Sequence, residues 1–294
     1  MKRVTYRAQQ TVGRPADISG VGYLTGADVA LRFLPAPVNS GIVFVRSDLG
    51  PEARIPVHVE HVTGTQRRTT LGKAPLTVSL VEHVLAALAG LHIDNCIIEL
   101  NAPEPPGLDG SAQGFVQVLR QAGTRLQAGR QPICSATSSI VMRHEGATLA
   151  LHPPEADELR ISYLLDYGPH SPIKRQVHTQ TITPQNFANE LSSCRTFLLE
   201  AEALELQRQG LGARTQVTDL VVFGPRGPIN NKLRFADEPA RHKVLDLIGD
   251  LALLGYDLVG HVVAYRSGHP LNVELVRTLL KMLCKARPLQ RTAA

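Results

Sequence analysis

At 294 residues the chain has room for two domains of ordinary size. Its 43% apolar and 19% charged residues exclude a disordered protein. The net charge of +5 suits an anionic partner, but no Lys/Arg run reaches five residues, which ranks nucleic acid behind an acidic membrane surface or an anionic small substrate.

The start, Met1-Lys2-Arg3-Val4-Thr5-Tyr6-Arg7, is basic but is not followed by a signal-peptide core, and no uncharged apolar run reaches the length of a bilayer span. The expectation is a soluble cytoplasmic protein. Cys96, Cys134, Cys194 and Cys284 form no C-x-x-C pair and read as reduced thiols in a reducing compartment. From Val4 to Leu49, short β-type runs at 16–20, 29–34 and 41–45 are broken by Gly20-Val21-Gly22, Thr25-Gly26 and Asn39-Ser40-Gly41, the pattern of hairpins. Val57-His58-Val59 and Arg68-Thr69-Thr70-Leu71 continue the series.

Val81 to Leu91 predicts a helix, with Ser79 as N-cap, Glu82 at capping-box spacing and Gly90 as its end. Taken alone, Glu82 reads as a capping carboxylate and His83 as a hydrogen-bonded core histidine. Cys96 to Leu100 reads as a strand, and Asp109-Gly110-Ser111 as the cap of a helix running to about Gln121. The polar, weakly patterned stretch 123–132 carries the expected domain boundary, with domains at 1–127 and 128–287 and a disordered tail at 288–294.

The second half repeats the plan. Ile140-Val141-Met142, Thr148 to Leu151 and Ile161 to Leu165 alternate as strands. After Ser192-Ser193-Cys194-Arg195-Thr196-Phe197 come a helix-like run to about Gln209 and a strand from Val217 to Phe223. A helix from Arg241, a stop at Gly255, a strand from His261 to Tyr265 and a closing helix to about Leu283 complete the series. Each half therefore ends as helix, Gly, apolar strand, loop, helix. This weak repeat predicts an α+β fold: two similar layered α/β-sandwich domains related by internal duplication.

The most informative helix is Arg241 to Asp250. His242, Asp246 and Asp250 fall on one face at i, i+4, i+8, while Val244, Leu245, Ile248, Leu251 and Ala252 form an apolar flank. A His and an Asp one turn apart can hold a divalent metal between them, and imidazole with carboxylate suits Zn²⁺. The same spacing also makes an ordinary solvated ion pair, and alone it favours that reading.

The combination of Val81-Glu82-His83 with 86–91 and Ile93-Asp94-Asn95, Leu108-Asp109-Gly110-Ser111-Ala112, Arg195-Thr196-Phe197, Leu233-Arg234-Phe235, 241–250 and Ser267-Gly268-His269 resembles the zinc-dependent UDP-3-O-acyl-N-acetylglucosamine deacetylases of lipid A synthesis. The resemblance runs from about Gln10 to Leu283. It implies His83, His242 and Asp246 as ligands of Zn²⁺, with Fe²⁺ as the other candidate metal. It implies Glu82 as general base, His269 as the group that stabilises developing charge or protonates the leaving amine, Asp250 as its orienting partner and Thr196 as an oxyanion donor. Lys243 and Arg266 would meet the phosphate end of a UDP-linked acylated amino sugar, Phe197 would pack on the sugar, and Tyr167 would stack on uracil. The site would lie between the two domains of a monomer. The insert 198–217 would shape an apolar passage for the acyl chain. Ala203, Leu211, Gly212 and Leu220 either line it or pack in the core.

Two departures stand out. The family carries a Leu-His pair before Ser/Thr-Gly where this chain has Gly22-Tyr23-Leu24-Thr25-Gly26, and many relatives have a cysteine where this chain has Thr69-Thr70-Leu71. Besides this deacetylase activity, a zinc amidohydrolase on another N-acetylated sugar nucleotide and a non-catalytic binding relative are the alternatives. The ligand spacing does not follow the H-E-x-x-H pattern of metalloproteases.

Overall fold

The computed structural model describes residues 1–216 and 219–285. In chain order the first elements are β1 (Lys2–Val12), β2 (Ala16–Val21), β3 (Asp28–Pro35), β4 (Ile42–Arg46), β5 (Arg54–Pro56), β6 (Val62–Gly64), β7 (Thr70–Lys73), β8 (Leu76–Ser79), α1 (Glu82–Gly90), β9 (Cys96–Leu100) and α2 (Gln113–Ala122). There follow β10 (Thr124–Ser135), β11 (Ile140–His144), β12 (Ala147–His152), β13 (Leu159–Leu165), β14 (Gln176–Ile182) and α3 (Pro184–Asn186), which runs into a π-helical turn at Phe187–Leu191. The rest are β15 (Phe197–Leu199), α4 (Glu200–Arg208), β16 (Val221–Gly224), β17 (Gly227–Pro228), α5 (Glu238–Leu251), β18 (Asp257–Tyr265) and α6 (His269–Lys285).

The fold is α+β and duplicated. A five-stranded mixed sheet, ordered β2-β3-β9-β4-β5, backs α1 and α2, and a seven-stranded mixed sheet centred on β18 backs α5 and α6. In each half the helix-strand-helix unit is the same, α1-β9-α2 and α5-β18-α6, with the strand in the middle of its sheet. The two helix layers meet where α1 packs on α5. Both helices are apolar on most sides, so Val84, Leu85 and Leu88 of α1 and Val244, Leu245, Leu247 and Ile248 of α5 are buried in one continuous core.

Strand β18 is shared along its length. Asp257 to Val259 run parallel to Ile133 to Ser135 of β10, and His261 to Tyr265 run antiparallel to Thr148 to His152 of β12. Its other edge carries β13, parallel. The polar stretch after Gly123 forms the long strand β10, paired antiparallel with β1. Most side chains of β10 are exposed or half-buried on both faces, so no alternation of apolar and polar residues announces it. Arg7 of β1 forms ion pairs with Asp94 (2.6 Å) and with Asp257 (2.5 Å), tying β1 to both halves.

Three local expectations are corrected. Ser79 does not cap α1; its hydroxyl meets Thr70 Oγ1 at 2.9 Å at the end of β8, and Glu82 turns its carboxylate inward rather than back to a cap. Val57 to Val59 is not a strand, because His58 caps a 3-10 turn at Val59–His61. The strand expected from Val217 begins at Val221. Val217 and the tail 288–294 lie outside the described residues.

Candidate active site and metal centre

Helix α5 begins at a buried anchor. The carboxylate of Glu238, in its first turn, accepts from Arg195 N (3.0 Å), Arg195 Nε (2.8 Å) and Arg234 N (2.6 Å). An anion is favoured at a helix N-terminus, and this one also fixes the segment before β15. Thr196 follows at once, with its N–H donating to Gly110 O of the other half at 2.7 Å. Gly110 has φ +77, and a Cβ there would lie 3.0 Å from Thr196 Cγ2, so only glycine fits this approach.

One turn further along α5, His242 donates from Nδ1 to Cys194 O at 3.0 Å, which leaves Nε2 free. Nε2 lies 3.2 Å from Asp246 Oδ1, and His83 Nε2, from α1, lies 3.5 Å from the same oxygen. The two rings cross edge to face with centroids 5.0 Å apart. One ligand atom from each of His83, His242 and Asp246 falls within 4.8 Å of the others. Two imidazoles and a carboxylate at that spacing, with one tautomer already fixed by a backbone carbonyl, fit Zn²⁺ and leave a coordination position open. The metal reading of the α5 stripe therefore prevails over the solvated ion pair, since His242 and Asp246 are buried.

Charge in the cluster is balanced locally. Lys243 Nζ donates to Asp246 Oδ2 at 2.7 Å. Burial alone would raise the Asp246 carboxyl, but His242 and Lys243 outweigh it and hold it well below the usual carboxylate range. Burial would lower the Lys243 ammonium, and Asp246 outweighs that, holding it above its ordinary value.

Glu82, 2% exposed, sits beside His83 and faces His269, with Oε1 3.8 Å from His269 Nε2. Burial pushes its carboxyl up, against the pull of His269 and His83. His269 opens α6 and is bonded through Nδ1 to Asp250 Oδ2 at 2.8 Å. Burial would depress this imidazolium, but Asp250 and Glu82 prevail and raise it to about 9. Asp250, fully buried, also accepts from Asn272 Nδ2 (2.8 Å) and Thr69 Oγ1 (2.6 Å).

These groups open onto a cavity of about 580 Å³ that takes in Thr196, Lys243, Arg266, Phe197 and Tyr167 as well as Glu82, His83, His242, Asp246 and His269. Phe197 stands edge-on to His242, centroids 6.2 Å apart, and to Tyr167 at 5.9 Å. Tyr167 is 43% exposed, at the rim. Arg266 is steadied by Nε donating to Asp166 O at 2.6 Å. Asp250 lies behind His269, away from the cavity lining. Ala203, Leu211, Gly212 and Leu220 all line the same cavity, as do Tyr23 and Leu24 of the glycine turn. That turn is rebuilt around buried Glu104, which accepts from Leu24 N (2.9 Å) and Thr25 N (2.7 Å), while Tyr23 Oη donates to Asp219 O at 2.6 Å.

Sequence reasoning missed Glu238, Asn272 and the part played by Thr69. Glu238 stands at the first turn of a helix and Asn272 one turn after His269, spacings that could have marked both. Nothing local marks Thr69, whose partner is 181 positions away.

A duplicated sandwich that brings two histidines and a carboxylate together where its helix layers meet is the architecture of a metal-dependent amidohydrolase. The sequence profile of UDP-3-O-acyl N-acetylglycosamine deacetylase matches residues 9–281. The UDP-3-O-acyl-N-acetylglucosamine deacetylase of Chlamydia caviae is 43% identical over 278 residues, 94% of this chain and 98% of that protein. Those of Geobacter sp. (strain M21) and Solibacter usitatus are 37% and 38% identical, covering 93% of this chain and 89% and 92% of their own lengths. The chain belongs to the UDP-3-O-acyl-N-acetylglucosamine deacetylase family.

Proposed function

We propose that this chain hydrolyses the N-acetyl group of UDP-3-O-(3-hydroxyacyl)-N-acetylglucosamine, giving acetate and the free amine for lipid A synthesis. The observation that carries this reading is the pairing of Glu82 with His269, Oε1 to Nε2 at 3.8 Å, in the same cavity as the His83, His242 and Asp246 cluster, with cations and an apolar wall. Zinc held by His83, His242 and Asp246 would supply a Lewis acid that polarises the amide carbonyl and makes water acidic enough to attack near neutral pH.

The chain's own groups do the rest. Glu82 takes the proton of the attacking water, and its burial, which raises its basicity, suits it to that task. The Thr196 hydroxyl donates to the carbonyl oxygen as negative charge develops there, an interaction worth about 2–4 kcal/mol in comparable oxyanion holes. His269, positively charged near pH 7 because Asp250 and Glu82 overcome its burial, steadies that charge and gives its Nε2 proton to the departing amine. Asp250 holds the ring so that Nε2 faces the cavity.

Lys243 and Arg266 receive the diphosphate, Phe197 packs on the sugar and Tyr167 at the rim stacks on uracil. Ala203, Leu211, Gly212 and Leu220 line the acyl passage. Residues 1–127 supply Glu82 and His83, and 128–287 supply the remainder. The protein acts as a cytoplasmic monomer; among the described residues no helix is long and apolar enough to cross a membrane.

The test is acetate release from this substrate by purified protein, with metal content measured in parallel and His242→Ala as control. Zinc-dependent turnover that the substitution abolishes supports the reading. A protein holding one metal per chain that releases no acetate overturns the substrate, and one that binds no metal overturns the mechanism.

A further inference from the structure

Asp250 has two carboxylate oxygens, and they are held from different sides. Oδ2 takes His269 Nδ1 at 2.8 Å and Asn272 Nδ2 at 2.8 Å, both from α6. Oδ1 takes the hydroxyl of Thr69 at 2.6 Å, from the other half of the molecule. A carboxylate turns about its own axis unless both oxygens are fixed, and Thr69 supplies the second fixed point. Thr69 is fully buried, and its β-branched side chain has few rotamers to sample.

The same residue also holds Glu82. Its backbone N–H donates to Glu82 Oε2 at 3.0 Å, leaving Oε1 to face His269. Its hydroxyl oxygen also lies 3.3 Å from His269 Nδ1. Thr69 precedes β7, and its carbonyl accepts from Val81 N at 3.4 Å just before α1, so its backbone is tied to the element that carries Glu82.

We propose that Thr69 is a positioning residue that sets the His269–Asp250 pair in register with Glu82, through its hydroxyl on one side and its N–H on the other. This rests on the roles given above to Glu82 and His269. Thr69 reaches neither the metal cluster nor the reacting atoms; it aligns the group that gives up a proton with the group that receives one.

The test compares Thr69→Val, which keeps shape and N–H but loses the hydroxyl, with Thr69→Ser, which keeps the hydroxyl. Rates are normalised to metal-loaded chains, so a loss of folded protein does not count. Thr69→Val should lower kcat by about 10- to 100-fold, a share of the 10²–10⁴ that acid–base catalysis contributes, with KM within about twofold of the parent. Thr69→Ser should restore kcat to within about threefold. A readout independent of turnover is the downfield proton resonance of His269 Nδ1–H in the metal-free protein, assigned with His269→Gln. It should shift or vanish in Thr69→Val and persist in Thr69→Ser.

Unchanged kcat and an unchanged resonance in Thr69→Val would overturn the proposal, as would equal losses in the valine and serine variants. If the parent protein releases no acetate while the resonance follows the hydroxyl, the proposed substrate fails and the positioning role of Thr69 stands.

Discussion

Gly249 of α5 lies against the backbone of Glu82 in α1: a Cβ on Gly249 would fall 2.1 Å from the Glu82 carbonyl oxygen and 3.0 Å from its Cα. The two helices therefore meet backbone to backbone at the level of the metal cluster. Any side chain at Gly249 would push α1 outward and carry His83 away from Asp246, now 3.5 Å distant.

Gly249→Ala should for that reason act on both stability and metal binding. Helix propensity alone would favour alanine by about 0.5–1 kcal/mol, but forcing a methyl into a closed contact costs about 1–3 kcal/mol or more. The expected net result is a lower Tm together with weaker zinc retention on dialysis. A variant with the parent's Tm and metal content would show that the contact relaxes at no cost.

Zinc should stabilise the fold as well as enable the reaction. A ligand that binds only the native state adds about 4 kcal/mol at a thousandfold excess over its Kd. Chelation should therefore lower Tm, zinc should restore it, and His242→Ala should abolish that response. Glu82→Gln, by contrast, should keep its zinc and lose activity by about 10²- to 10⁴-fold. Calorimetry with metal analysis separates the two.

Glu238→Gln should be among the more damaging single changes outside the metal cluster. The carboxylate is buried and is bound to buried Arg195, and stranding one charge of such a pair costs about 3–5 kcal/mol. Thr196 adjoins Arg195, so kcat per folded molecule should fall too. Chemical denaturation and steady-state kinetics on the same sample give both numbers.

Asp109 links the halves through Arg234 at 2.7 Å. Burial would raise its carboxyl, but Ser111 and Arg234 prevail and hold it below its ordinary value. A group depressed on folding stabilises above its unfolded pKa, about 4, and that contribution is lost as pH falls through the folded value. Asp109→Asn should therefore lower Tm at pH 7, and the gap from the parent should close as acidification passes through the folded value, which lies below the unfolded one. A gap that stays constant with pH would assign the loss to packing instead of charge.

The cavity wall gives a prediction about substrate. Ala203 lines the cavity with Leu211 and Leu220. Ala203→Phe should depress kcat/KM for long acyl chains more than for short ones, since each excluded methylene forfeits about 0.8 kcal/mol. Equal loss for all chain lengths would place the acyl group elsewhere.

What the sequence disclosed depended on how locally each feature is encoded. The α5 stripe was legible because a 3.6-residue period puts His242, Asp246 and Asp250 on one face, and the burial of that face argues against a solvated ion pair. The paired order of helix, strand and helix was legible for the same reason in both halves. Strand β10 was not, because a strand with polar side chains on both faces shows no period of two. The inward turn of Glu82 was hidden by its adequate spacing for a capping box; only the crossing of α1 and α5 decides which way it points. Thr69 and Glu238 act through partners far along the chain, and neither composition nor spacing encodes such a contact.

The pairing of β1 with β10, and of β10 with β18, joins strands that are synthesised at different times. Residues 2–12 leave the ribosome long before 124–135, and both precede 257–265. Contacts so distant in sequence form slowly. A nascent chain halted before Asp257 would carry a β1–β10 ribbon with an open edge, a template for pairing with other chains. Until β18 emerges, the edges of β12 and β13 that it later covers stand open in the same way.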